Sequence, residues 1–210
     1  MKTHHTFKAL LLSASFLLTT TSSLAANIPL LNHNFESDAI PPDPGYTTRI
    51  SGWVSSGTGD YGIYAPASNE HDSGYLNLGG RSQVAWLNQG ARISQTINAS
   101  LLAGETYTLT FDAGRRRDHN PYFVARVKAN GLVIADLTSP EMDLKNNEWS
   151  TQSLSVTATN DMPIGSPIVI EFANLETSWI QANIDNISFS TAGTATTLPG
   201  TQLGALTLIT

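Results

Sequence analysis

Apolar and polar residues alternate strictly along several stretches of the chain, and this pattern predicts β structure almost throughout. Thr106–Asp112 alternates with Tyr107, Leu109 and Phe111 on one face. Arg92–Ile97 sets Ile93 and Gln95 against Ser94 and Thr96. Tyr122–Lys128 and Leu132–Ala135 flank Asn130-Gly131, a pair that favours a tight hairpin because both residues tolerate positive φ. Trp149–Val156, Ile168–Phe172 and Ile184–Phe189 complete the set. One short helix-like piece is expected around Ala99–Ala103. Ser37–Gly62 is rich in loop residues and Thr191–Thr210 carries no charge, so neither shows a clear period. Strands at this spacing, broken by Gly, Pro and Asn, predict an all-β, two-sheet antiparallel sandwich. The expected organisation is a leader over 1–25, one β domain over 26–190 and a flexible tail over 191–210.

The leader is read as a signal peptide. Lys2 and Lys8 precede the apolar run Ala9–Leu18, and Ser23-Leu24-Ala25 offers small residues for cleavage. The run is shorter than the roughly 20 residues that span a bilayer, so the mature chain is expected to have no membrane span and to be secreted or periplasmic. The whole chain has 210 residues, 11 basic against 17 acidic, and no cysteine. Disulfides, thiolate metal sites and cysteine nucleophiles are thereby excluded. The acidic balance argues against nucleic acid as a partner. None of the short signatures of serine hydrolases, zinc peptidases or phosphate-binding loops is present. Asp60 and Asp72 are weak candidates for a second metal site, and His33, His71 and His119 lack zinc spacing.

Five short motifs occur in one order: Asn32-His33-Asn34-Phe35-Glu36, Gly52-Trp53, Ile93–Ile97 with Gln95 at its centre, Gly104–Asp112, and Ile184–Ser188. Together they resemble the secreted galactose-binding-like jelly rolls. That group contains carbohydrate-binding modules of the family 4/9 type and the calcium-dependent Stig cyclases of indole alkaloid biosynthesis. The resemblance implies a jelly roll in which Glu36 and Asp185 help to hold a structural Ca2+. First and last strands commonly meet in this fold, so the two carboxylates would converge, and like charges converge cheaply only around a cation.

Sugar-binding faces combine aromatic planes with polar groups. Tyr64, Trp86, Arg115 and Tyr122 are the ligand-binding candidates, whereas Trp53, Tyr107 and Trp149 are expected in the core or at its rim. The leading functional expectation is a non-catalytic, calcium-stabilised module that binds a glycan or small molecule. The alternative is a Stig-type cyclase, which the resemblance implies would use Asp185 or Asp112 as a proton donor in an aromatic pocket. Asp185 could not readily be both metal ligand and acid. A structural surface or matrix protein is the third reading.

Overall fold

A computed structural model describes residues 25–40, 45–65 and 80–193. Its strands, in chain order, are β1 (Ala26–Ile28), β2 (Gly45–Thr47), β3 (Val54–Gly57), β4 (Tyr61–Ala65), β5 (Val84–Leu87), β6 (Ala91–Ser100), β7 (Glu105–Gly114), β8 (Phe123–Ala129), β9 (Leu132–Thr138), β10 (Trp149–Thr157), β11 (Pro167–Asn174) and β12 (Ala182–Gly193). They form two antiparallel sheets. The first runs β10-β7-β12-β5-β4-β2, with β1 also paired to β12, and the second runs β3-β6-β11-β8-β9. Among the described residues no helix is long and apolar enough to cross a membrane.

Alternation decides which side chains fill the space between the sheets. Tyr107, Leu109, Phe111 and Ala113 of β7 point inward with Ile184, Ile187 and Phe189 of β12. They meet Ile93 and Ile97 of β6 and Ile168, Ile170 and Phe172 of β11. Phe111 and Phe172 touch edge to face across the layers, 5.0 Å between centroids, a favoured geometry for aromatic pairs. Burying each such ring stabilises the sandwich by about 1.5–3 kcal/mol.

The other face of the first sheet changes character along its length. At one end Thr106, Thr108 and Thr110 of β7 hydrogen-bond Thr157, Ser155 and Ser188 of the flanking strands. At the other end β7 presents Asp112 and Gly114 instead. The ends of the chain's β domain pair directly, Ala26–Ile28 running against Phe189–Thr191.

Two local expectations change. The helix-like piece at Ala99–Ala103 is absent: β6 extends to Ser100, Leu101 is fully buried, and Gly104 at φ +81° turns the chain into β7. Pairing of Ser100 with Pro167 and the bond from Leu101 N–H to the Ser166 carbonyl outweigh local helix propensity there. The loop-rich stretch 37–62 contains β2, β3 and the start of β4, strands too short to show a period. The Asn130-Gly131 hairpin forms as its residues dictate, with both in positive φ.

Candidate active site

The site is built on the outer face of the first sheet, where the chain's first loop meets its last strand. Asn32 organises that loop. Its side chain donates to Asp38 and to the Ser51 carbonyl and accepts from Ser37 N–H. Phe35 adopts φ +57° and is fully buried against Trp53. Gln95 fastens the assembly from the second sheet: it accepts from Leu31 N–H and donates to the carbonyls of Leu31 and Gly52. Ile187 N–H donates to the His33 carbonyl, tying the loop to β12. Glu36 is thereby held at the sheet's margin. Its carboxylate accepts from Gln83 N–H and Gln83 Nε2, both at 3.0 Å, which fixes the segment carrying Arg81.

Arg81 reaches over the face to two aspartates paired across β12 and β7. Its Nη2 lies 2.5 Å from Asp112 Oδ2 and its Nε lies 3.1 Å from Asp185 Oδ2. Its guanidinium stacks on Trp149, 4.3 Å from the ring centroid, a cation–π contact. Trp149 itself lies against Gly114, where a Cβ would come within 2.8 Å of the indole. Trp86 lies over Gly62 in the same way, a Cβ there falling 3.0 Å from its ring.

The two aspartates have opposite surroundings. Burial would raise the Asp112 carboxyl, but hydrogen bonds from Thr151 (2.6 Å), Asn186 (2.9 Å) and Arg81 outweigh it, so Asp112 is held below the usual carboxylate range. Asp185 is 3% exposed, and its Oδ1 is buried with no hydrogen-bond partner among the described residues. Burial therefore dominates over the opposing main-chain N–H of Asn186 and the Arg81 charge. The charges of Asp112 and Glu36 add to it, and Asp185 is pushed up to about 6. A neighbouring pair with separated proton affinities is a recurrent signature of acid–base sites. A cavity of about 520 Å³ opens beside Asp185, lined by Asn34, Glu36, Gly80, Arg81, Ser82, Asp185 and Asn186.

The structure thus brings Glu36 and Asp185 to one cavity and sets Asp112 opposite Asp185. Tyr64 and Trp86 share their face, on the neighbouring strands β4 and β5. The other two ligand candidates lie elsewhere. Arg115 donates to the Leu144 carbonyl and shapes the loop before β10. Tyr122 is 44% exposed beside β8 of the second sheet, where its N–H donates to Glu176. Arg116 pairs with Asp118, whereas Asp112 takes Arg81. Trp53 and Tyr107 are core residues, as expected; Trp149 belongs to the site. Arg81 and Asn186 were not singled out from the sequence, and Trp149 was expected only in the core or at its rim. Asp72 and His71 lie outside the described residues, as do the leader and residues 194–210.

A family model described as HpiC1-like, HpiC1 cyclase, matches residues 26–190. The chain belongs to the HpiC1-like cyclase family. The expectation of a non-catalytic carbohydrate-binding module is corrected by this match, and glycan binding falls with it. Two solved structures are similar at 22% identity. One is the Stig cyclase Fisc from Fischerella sp. TAU in complex with (3Z)-3-(1-methyl-2-pyrrolidinylidene)-3H-indole (TM-score 0.68, covering 81% of this chain and 99% of that one). The other is a cyclase from Fischerella sp. TAU (TM-score 0.69, covering 82% and 100%). A further cyclase from the same organism was solved with 4-(1H-indol-3-yl)butan-2-one, at TM-score 0.65. At this identity the likeness establishes the shared jelly-roll fold. No curated protein sequence matches the chain.

Proposed function

We propose that this HpiC1-like chain is a cyclase acting on a small indole-type substrate, with Asp185 as the general acid. The carrying observation is the pair Asp185 and Asp112, joined by one arginine but held at opposite ends of the carboxyl range. A buried acid near 6 is poised to give up a proton at neutral pH. In the reaction envisaged, Asp185 transfers its proton to an electron-rich carbon of the substrate. A neighbouring double bond attacks the resulting cation, forming the ring bond, and loss of another proton restores neutrality; substrate and product have the same mass. Asp112 stays ionised and, with the face of Trp86, favours the transient positive charge. Trp86 and Trp149, the latter stacked with Arg81, are the indole surfaces on this face.

Calcium is part of the same proposal. The cavity's lining is oxygen-rich, and Glu36 projects into it from a loop held on three sides, which fits a hard cation. Among the described residues no three acidic or histidine side chains are arranged to hold a metal ion between them, so amide, main-chain and water oxygens must complete the shell. We assign Glu36 and Asn34 to calcium and reserve Asp185, whose nearest cation is Arg81, for proton transfer. Bound there, the ion would brace the first loop and contribute no reacting group. Export is retained on the pattern of residues 1–25, to be checked by N-terminal sequencing for a start at Ala26.

The deciding experiment compares wild type with Asp185→Asn on a 3-alkenyl indole, following conversion to an isomer of equal mass by chromatography and mass spectrometry. Asp185→Asn should lose a factor of about 10²–10⁴ in rate while keeping its fold. Activity within twofold of wild type would remove Asp185 from the role.

A further inference from the structure

Asn183 sits at the centre of a row that crosses the first sheet. In register on β12 it faces Trp86 of β5 on one side and Gly114 of β7 on the other, and Gly114 faces Trp149 of β10. Both tryptophans therefore flank it on one face, two residues along the strand from Asp185. Asn183 is 3% exposed, and its Nδ2 is fully buried with no hydrogen-bond partner among the described residues. Asp112 on the same face is treated differently, accepting from Thr151, Asn186 and Arg81. A buried donor left unpaired is costly, and folded proteins keep such groups chiefly where function needs them.

We infer that Asn183 is a substrate-orienting residue, donating its side-chain N–H to a neutral carbonyl oxygen on the side chain that the aromatic heterocycle carries. This rests on the cyclase reading. The flanking indoles select a flat, apolar body, and the donor selects one polar atom on it. An anionic acceptor is disfavoured because Asp112, Asp185 and Glu36 crowd the same face. A cationic one has nothing to offer an N–H donor. Anchoring one end of the substrate in this way sets which carbon lies beside Asp185, so Asn183 governs where the proton lands.

The test uses two probes in which a carbonyl replaces a methylene, 4-(1H-indol-3-yl)butan-2-one and 3-butylindole, titrated calorimetrically against wild type and Asn183→Leu. Wild type should bind the ketone about 3- to 10-fold more tightly, the worth of one neutral hydrogen bond. Asn183→Leu should bring that ratio to about one while keeping its affinity for 3-butylindole. Asn183→Ala serves the same comparison if the leucine variant does not fold. An unchanged ratio in the variant, or equal binding of both probes by wild type, overturns the role of Asn183 and leaves the cyclase reading standing. Binding of neither probe by wild type overturns the cyclase reading and the inference together.

Discussion

Replacing Asp185 with Asn should change how stability responds to pH. The folded state holds the Asp185 proton to about 6 against an ordinary value of 3.8. A gap of roughly two units is worth about 3 kcal/mol. The sign follows from which state binds the proton more tightly. With the folded value raised, the contribution is fully present below the unfolded value and is lost as pH rises through about 6. Wild type should therefore lose roughly 2 kcal/mol relative to Asp185→Asn between about pH 4.5 and 7.5, most of it before pH 6, with no further change above about pH 7. Urea unfolding followed by tryptophan fluorescence, at fixed calcium, reads the difference, and shared titrations cancel in the comparison. Asp112→Asn is the internal contrast. With Asp112 held below its ordinary value, wild type should gain on that variant as pH rises and lose its advantage as pH falls. A wild-type advantage over Asp185→Asn that grows with pH would mean that the Arg81 charge outweighs burial, and the assignment of the acid would fail.

Other consequences can be measured directly. Gly114→Ala places a methyl group against the Trp149 indole; it should cost about 1–3 kcal/mol and weaken indole binding by displacing Trp149, checked by thermal melts and the same calorimetry. Saturating calcium should raise the melting temperature of wild type, since binding at a hundredfold excess over Kd is worth about 2.7 kcal/mol. Glu36→Gln should melt at one temperature with calcium or chelator, and a wild-type-sized shift in that variant would move the metal elsewhere.

Most of the scaffold was legible because period-two patterning needs only neighbours in sequence. Tyr107, Leu109 and Phe111 announced their face, and Asn130-Gly131 its turn. The convergence of Glu36 and Asp185 was legible through the ordered motifs. Arg81 was not, because it lies in an aperiodic Gly-Gly-Arg-Ser stretch and is delivered to the face by Gln83 binding Glu36, a contact 47 residues apart. Trp149 reads as an ordinary strand opener until its pairing with Gly114 is known. One signal was available: the outward series Thr106, Thr108, Thr110 of β7 breaks into Asp112 and Gly114, and that break marks where a solvated ladder gives way to chemistry. Arg115 and Tyr122 lie away from this cavity, because density of polar and aromatic residues along a chain says nothing of where the fold places them.

The register of β12 slips between Asp185 and Ser188, and Asn186 occupies this slip at φ +48°. An even ladder would send consecutive residues to opposite sides. The extra residue instead lets Asp185 and Asn186 both serve the outer face, while Ile187 and Phe189 stay in the interior. Loss of that single residue would force a choice on the strand: keep the acid where it is and turn the interior side chains out, or keep the interior and bury the acid. The chemistry of this face thus depends on a spacing as much as on any side chain, and a family member lacking the slip could retain every reactive group and still have no working site.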